Sequence, residues 1–359
     1  MQIRLGVVLL ICAASRLGAQ DGSYPTFTVS GRLQTQFYLF GNDNQSRTGS
    51  ESNFFIRRAR IQVNAKLREN VSLVIQPSFE GGRASGVRLR DAYIDIRATA
   101  AESKTSLTFR MGAEKKPFNR YELSSSNNLP TIERNAGRGL APVGSNNLLE
   151  AAGYIMTDLG GAVILGHQID KTRRFNLQVG AYNGAGESVN DVNASKSFGA
   201  RATVDVAKKL GLGLAYFSHD GIVTRSPTVI DSAFRNKAIG LEAQWGQIGT
   251  EGLVVIADYS RAEALSAAKP TMSGLSLVGA YHVRTKQSKA LFAIEPVLRL
   301  DLADPDVDAA DNASTLITAG VNVYLTARSQ LRLMFESQNA QATGVKTISG
   351  IRSAWTMNF

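Results

Sequence analysis

Apolar and polar residues alternate with a period of two along most of this chain, and no other feature restricts its fold as strongly. The pattern runs through residues 29–39, 58–67 and 315–325. Such alternation is typical of a β-strand with one apolar and one polar face. Several segments extend for roughly 12–15 residues, whereas strands of soluble proteins most often have about 5–6. Tilted strands that cross a membrane need ~9–11 residues, so the length favours membrane strands.

The connections between the predicted strands are alternately short and long. Residues 68–69 and 208–209 are short connections, whereas 41–52 and 184–195 are long ones. Outer-membrane barrels have an even number of antiparallel strands, short periplasmic turns and longer outer loops. The pattern therefore predicts a transmembrane antiparallel β-barrel of the bacterial outer membrane, with both chain ends in the periplasm. Its sixteen predicted strands cover residues 27–40, 53–67, 70–79, 87–98, 104–113, 159–169, 174–183, 196–207, 210–219, 234–247, 251–263, 272–284, 288–301, 312–326, 329–339 and 345–359.

The connection after the fifth strand, residues 114–158, is far longer than the others. A structureless loop of this length inside a compact domain is uncommon and is usually functional. We expect this third loop to fold into the barrel and to constrict the pore. Within it, residues 147–156 could form a short helix or a further hairpin, and a hairpin would raise the number of strands to eighteen.

The N-terminus has the features of a secretory signal peptide. Arg4 precedes an apolar run at residues 5–14, and small residues follow up to Ala19, so residues 1–19 are predicted to be removed and residues 20–359 to form the barrel. The single cysteine, Cys12, lies within the removed segment, which excludes disulfide and thiol chemistry in the exported protein. The chain has a net charge of +10. Export makes nucleic acid an implausible partner for this charge and leaves small anions or a membrane surface.

Neither a catalytic site nor a metal or cofactor site is predicted. The histidines, His167, His219 and His282, lie on separate strands without the close spacing of metal ligands. The aspartates within residues 301–311 suggest calcium, but the glycine and the glutamate of an EF-hand loop are missing. We interpret this run as a solvated acidic outer loop, which could contact divalent ions of the lipopolysaccharide layer.

Basic residues on the polar faces of the strands are the candidate functional groups. The predicted alternation directs four of them into the lumen, and four more lie at the start of or within the long connection. Rings of Arg and Lys form anion and phosphate pores, and the planar Arg guanidinium can bind phosphate through two hydrogen bonds. The alternative is that these bases pair with Asp91, Asp95, Glu114, Glu122 and Glu133 and only support the wall. The eight candidates are Arg32, Arg58, Arg60, Arg110, Lys115, Lys116, Arg120 and Arg134.

The C-terminal segment alternates up to a terminal Phe359. A terminal aromatic residue on a period-two strand resembles the signal that bacterial barrel-assembly machinery recognises. That machinery and the surrounding outer-membrane lipid, including lipopolysaccharide, are therefore predicted partners.

Five segments resemble the phosphate-selective porin O and P family of outer-membrane channels. The resemblance implies a sixteen-stranded homotrimer whose third loop narrows the lumen. In phosphate-specific members an arginine ladder and a lysine cluster line the pore, which implies a ladder role for Arg58, Arg60 and Arg110 and a cluster role for Lys115 and Lys116. The segments are FIRRARI at 55–61, LRDAYID at 89–95, GAEKKPF at 112–118, the stretch 124–134, and GAYNG at 180–184.

The predicted function is a diffusion channel for small hydrophilic solutes that prefers anions such as phosphate or polyphosphate. The stretch of residues 135–157 is longer than usual for the family, so a general porin with structural arginines stays open as the alternative. An outer-membrane barrel enzyme would need a nucleophile beside a histidine base, which we do not find. A secreted carbohydrate-binding β-sandwich would need exposed tryptophans, but the chain has only Trp245 and Trp355.

Overall fold

Sixteen antiparallel strands form a closed barrel in the computed structural model of this protein. The structure describes residues 24–41, 50–80, 87–135, 144–187, 190–191, 194–226, 229–285, 291–341 and 344–359, and the predicted signal peptide lies outside them. The strands are β1 (Thr26–Gly41), β2 (Ser50–Arg68), β3 (Val71–Ser78), β4 (Arg88–Arg97), β5 (Thr105–Lys115), β6 (Thr157–Gln168), β7 (Arg174–Tyr182), β8 (Ser197–Ala207), β9 (Leu210–Ser226), β10 (Val229–Trp245), β11 (Gly252–Glu263), β12 (Thr271–Arg284), β13 (Ala293–Asp304), β14 (Ser314–Thr326), β15 (Ser329–Ala340) and β16 (Ile348–Asn358).

Each strand pairs with its sequence neighbours, and β1 pairs with β16 to close the barrel. At this closure Gly31 and Phe359 exchange two backbone hydrogen bonds, of 3.0 and 3.1 Å. A Cβ atom at position 31 would lie 2.2 Å from Cζ of Phe359. Glycine is therefore required where the first strand meets the terminal aromatic ring.

Among the described residues between β5 and β6, two stretches form short helices: α1 (Arg120–Leu123) and α2 (Ser145–Ala151). Helix α2 occupies the segment for which either a helix or an extra hairpin was predicted. The strand number of sixteen is therefore confirmed, and the alternative of eighteen is wrong. No helix within the described residues is long and apolar enough to cross a membrane.

The two faces of the wall have the polarity that a lipid environment requires. Outward-facing Leu298 and Ile239 are 59% and 53% exposed, whereas inward-facing Asn322, Asp301 and Arg299 are almost completely buried. Apolar side chains outside and polar ones inside are the arrangement of an outer-membrane barrel. The short connections, such as residues 69–70, lie at one end of the barrel, which we call the short-turn end; the opposite end is the long-loop end.

Candidate functional site

The long segment between β5 and β6 lies inside the barrel, where it bonds to inward-facing side chains of the far wall. Asn322 Nδ2 donates to the Pro130 carbonyl oxygen at 2.8 Å. Arg332 Nη1 donates to the Thr131 carbonyl at 3.2 Å, and Arg299 Nη1 donates to the Glu133 carbonyl at 3.0 Å. These strands are β13 to β15, so the segment spans the lumen from its attachment at β5.

Apolar side chains of this inner segment pack on an apolar part of the inner wall in two clusters. In the first cluster the segment contributes Phe118, Leu148, Leu149, Tyr154 and Ile155, which meet Tyr182, Phe217 and Met272 of the wall. In the second cluster it contributes Tyr121, Leu129 and Ile132, which meet Val254, Ile256, Val278 and Val297. Each fully buried large side chain contributes about 1.5–3 kcal/mol of transfer free energy. The segment is therefore held as a folded part of the barrel.

The N-terminus of α1 is fixed by a carboxylate of the wall. Asp258 of β11 accepts hydrogen bonds of 3.0 Å from the backbone amides of Arg120 and Tyr121. The side chain of Asn119 accepts a further bond, of 2.9 Å, from the amide of Glu122. The first amides of a helix lack partners within the helix, and Asp258 of the wall accepts from two of them.

Lys116 and Arg120 do not occupy the positions that the sequence predicted for pore-lining residues. Lys116 is 3% exposed, and its Nζ donates to the Gly153 carbonyl at 2.6 Å behind the inner segment. Arg120 turns toward β10, where its Nε lies 3.6 Å from Oε2 of Glu242. The expectation that Lys116 faces the permeating ion is not met, because the chain reverses direction directly after β5 and buries this side chain.

The burial of Lys116 predicts that the stability of the protein changes with pH in the alkaline range. Burial lowers the pKa of Lys116 from 10.5 to about 8, although the nearby Asp158 carboxylate acts in the opposite direction. Between these values the unfolded chain binds more protons than the folded chain, so stability should rise with pH. The temperature at which the barrel loses its heat-modifiable migration should be higher at about pH 10.5 than at about pH 7.5 in wild type. The difference should be smaller in Lys116→Met. Parallel profiles would contradict the assignment.

The open part of the lumen is a cavity of about 540 Å³ between the inner segment and strands β1 to β5. Six of the eight predicted residues border it: Arg32, Arg58, Arg60, Arg110, Lys115 and Arg134. Among the described residues that line it, nine are basic and six are acidic, so the lining carries an excess of positive charge. The basic ones also include Arg57, Arg88 and Arg90; the acidic ones are Asp91, Glu114, Glu122, Glu133, Glu150 and Glu187.

Two β-bulges bring Arg57 and Arg90 to this cavity. The β1–β2 register shifts between Gln34 and Thr35, so Arg57 is the extra residue of β2. The β3–β4 register shifts at Gln76, so Arg90 is the extra residue of β4. A bulge interrupts the alternation of faces locally, which explains why strict alternation did not identify Arg57 and Arg90 as lumen residues.

Most of these bases pair with carboxylates. Arg110 Nε and Nη2 donate to Asp95 at 2.7 and 2.8 Å, and its Nη1 donates to Glu114 at 3.0 Å. Glu80, another residue that the sequence-based interpretation missed, pairs with Arg60 and lies 3.1 Å from Arg90. Burial acts to raise the pKa of Glu80, but the hydrogen bond and charge of Arg60 outweigh it and lower that pKa.

Glu133 of the inner segment is the centre of a second ion-pair group. Its carboxylate accepts from Arg57 Nε at 2.7 Å and from Arg58 Nη2 at 3.3 Å. Gln36 Nε2 donates to it at 2.6 Å. Burial alone would raise the pKa of Glu133, but Arg58 and Arg57 hold it well below its usual range. Both ion-pair groups match the predicted alternative in which arginines support the wall.

Arg32 differs from these paired arginines. It is 3% exposed; its Nη1 donates to Ser126 Oγ at 2.9 Å and its Nε to Asn358 Oδ1 at 3.1 Å. Within the described part of the chain it forms no ion pair, and its Nη2 has no hydrogen-bond partner. Arg60 Nη1 also donates to Ser126 Oγ, at 3.3 Å. Two guanidinium groups thus meet at one hydroxyl of the inner segment.

Two further spaces adjoin this cavity. A space of about 660 Å³ at the short-turn end shares the lining residue Arg110 with it. A space of about 480 Å³ at the long-loop end shares Arg88 and Glu187 with it. We refer to these three neighbouring spaces along β1 to β5 as the passage.

The histidines and the acidic run form no metal centre. His282 contacts Glu295 at 3.0 Å and His219 contacts Ser197 at 3.1 Å, both in buried positions. The predicted solvated acidic loop is wrong for Asp301, which lies on β13 and is buried in an ion pair of 2.5 Å with Arg299. No group of three or more potential ligands within the described ranges could hold a metal ion.

A closed barrel with an apolar exterior and a charged passage along its lumen defines an outer-membrane channel of the porin class. The profile of the family described as phosphate-selective porin O and P matches residues 27–237. The chain therefore belongs to this family, as its sequence motifs predicted, and it is a channel of the bacterial outer membrane. A comparison with the sequences of curated proteins gives no match.

Solved porin structures share the fold at low sequence identity. An anion-selective porin from Comamonas acidovorans is 14% identical with a TM-score of 0.63, and the match covers 94% of this chain and 100% of that chain. The outer membrane channel DcaP of Acinetobacter baumannii is 11% identical with a TM-score of 0.60, covering 95% and 99%. OmpF of Salmonella typhi, in complex with daunomycin, is 12% identical with a TM-score of 0.60, covering 93% and 98%.

Proposed function

We propose that this porin prefers anions and that small oxyanions such as phosphate are the solutes it holds best. The observation that carries the proposal is the meeting of Arg32 and Arg60 at Ser126. Both guanidinium groups border the passage, and the Arg32 charge is not neutralised by an ion pair among the described residues. Arg58, Arg60, Arg134 and Arg332 add further positive potential at Arg32.

The arrangement of Arg32 and Arg60 around Ser126 suits the binding of an oxyanion. A guanidinium presents N–H donors in a planar fork that matches phosphate geometry, and the buried Nη2 of Arg32 has no hydrogen-bond partner among the described residues. Charges of one sign in a narrow space with low-dielectric walls concentrate the opposite ion. An anion that reaches Ser126 would therefore meet two donors that already converge.

Arg32→Gln tests this proposal. The variant should shift the reversal potential in a salt gradient toward cations. It should also raise by about tenfold the phosphate concentration that half-inhibits chloride current, because a hydrogen bond to a charged group contributes about 1.5–3 kcal/mol. Both quantities are measured in planar lipid bilayers.

Arg173→Gln is the matched control, since it removes the same charge from an exposed short turn between β6 and β7. It should leave both quantities unchanged. A cation-selective wild type, or an Arg32→Gln channel with unaltered phosphate inhibition, would contradict the proposal.

The second candidate is a general porin in which the lumen arginines only support the wall. The ion pairs of Arg110 with Asp95 and of Arg57 with Glu133 favour it. In that case Arg32→Gln would change the conductance for anions and cations alike.

Export, assembly and oligomeric state complete the proposal. We propose that residues 1–19 direct export, that the barrel-assembly machinery recognises Phe359, and that the channel is a homotrimer. Family membership supports the trimer, and the apolar run at residues 5–14 supports export.

A further inference from the structure

A group of basic side chains interrupts the apolar outer surface of the barrel at the long-loop end of β10 and β11. Arg235 and Lys237 lie on the same face of β10 as outward-facing Ile239 and Leu241. Arg261 lies on the same face of β11 as outward-facing Tyr259. Among the described side chains, these are the outward-facing bases in the long-loop half of the strands.

The strand register sets the level of this group relative to the membrane. Tyr259 and Arg261 are successive outward positions of β11, and Arg261 is the one nearer the long-loop end. Aromatic girdles mark the membrane interfaces of such barrels, so Arg261 lies just beyond the level of Tyr259, among the lipid headgroups. Arg261 pairs with Ile239 of β10, and Lys237 lies two residues, about 7 Å along the strand, further toward the long-loop end than Ile239.

The group has more positive charge than its neighbours neutralise. Arg235 pairs with Asp220 at 3.4 Å, and Lys269 Nζ reaches the Arg235 carbonyl at 2.8 Å. Glu263 accepts from the Lys237 backbone amide at 3.0 Å. Within the described ranges, neither the Lys237 ammonium nor the Arg261 guanidinium forms an ion pair or a side-chain hydrogen bond. Two exposed cations therefore stay available where lipid headgroups lie.

We propose that Arg235, Lys237, Arg261 and Lys269, the outer basic patch, bind the phosphate groups of lipid A in the outer leaflet. A phosphate monoester carries about −1.5 to −2 charges and three acceptor oxygens. Basic residues near a membrane surface recognise such headgroups. Arg261 and Lys237 lie on adjacent strands, which are spaced about 4.8 Å apart. Lys237 is two residues along β10 from Ile239, the register partner of Arg261, so both long side chains can reach one phosphate. The apolar wall below them would contact the acyl chains.

The proposal is tested by native mass spectrometry of the purified protein titrated with bisphosphorylated lipid A. The double variant Lys237→Gln plus Arg261→Gln should bind lipid A roughly 30-fold more weakly, about fivefold for each basic side chain. Arg68→Gln plus Arg173→Gln is the matched control, because it removes two exposed cations from the short-turn end. This control should bind like wild type, and fully dephosphorylated lipid A should bind wild type and double variant equally weakly.

Several outcomes would overturn the proposal. These are equal lipid A binding by wild type and double variant, displacement by millimolar inorganic phosphate, and equally tight binding of phosphatidylglycerol. If the double variant does not show heat-modifiable migration, the single variant Arg261→Gln should still show about a fivefold loss. Channel conductance and selectivity should not change in either variant, so the test is independent of anion preference.

Discussion

Removal of the inner segment is expected to raise the single-channel conductance several-fold and to abolish much of the ion selectivity. Lys115 and Thr157 are directly paired in the β5–β6 register. Residues 116–156 can therefore be replaced by a two-residue Asn-Gly turn, which suits a hairpin of this kind. The replacement removes α1 and α2 and opens the part of the lumen that the segment fills. Conductance in a planar bilayer measures the effect.

The control for this deletion is a variant that weakens the docking without shortening the chain. Asp258→Asn replaces one of the two oxygens that accept hydrogen bonds from the backbone amides of Arg120 and Tyr121, so it should give noisier openings at nearly wild-type conductance. A deletion variant that migrates as a folded barrel with unchanged conductance would show that the segment does not limit the passage.

Glu133→Gln is expected to destabilise the folded channel by about 3–5 kcal/mol, the effect of removing one partner from a buried ion pair. The variant leaves Arg57 and Arg58 without their shared carboxylate. The temperature at which the barrel loses its heat-modifiable migration should fall strongly. Glu251→Gln, at an exposed turn, should have almost no effect.

The pH dependence of this difference follows from the depressed pKa of Glu133. Burial opposes the shift, but Arg58 and Arg57 lower the folded-state pKa below the unfolded value of about 4.3. The stabilisation is therefore present above that value and is lost as pH falls through the folded-state pKa. Wild type and Glu133→Gln should differ equally at neutral pH and near pH 5. A difference that disappears near pH 5 would contradict the ion-pair assignment.

The wall of the barrel could be predicted closely from the sequence, because each membrane strand carries its own periodic signal. The predicted β5 and β6 end within two residues of the observed ones, Thr105–Lys115 and Thr157–Gln168. The larger differences are at three strands. β9 extends to Ser226 and β10 begins at Val229, both inside a predicted loop, and β13 begins at Ala293 although its start was predicted at 288. Beyond the membrane a strand no longer needs an apolar face, so the alternation disappears while the hydrogen-bonded ladder continues.

The basic residues that line the cavity could be predicted only where the strands alternate regularly between apolar and polar faces. Arg32, Arg58 and Arg60 were found because they alternate with the apolar residues Leu33, Ala59 and Ile61. The position of Arg57 depends on a bulge opposite β1, which no single strand reveals. Lys116 resembled Lys115 in sequence, but the direction of the chain after β5 separates them, and that direction is set by packing on distant strands.

The apolar inner wall has a consequence for how this channel can be recombined with others. Val254, Val278 and Val297 face the lumen, where a porin wall is normally polar, because Leu129 and Ile132 cover them. A chimera that transfers residues 116–156 into a barrel with a polar interior would place these apolar side chains against unpaired polar groups. The reverse chimera would leave the valines in contact with water. The segment and strands β11 to β13 therefore form one exchangeable unit, and substitutions across their contact should combine non-additively.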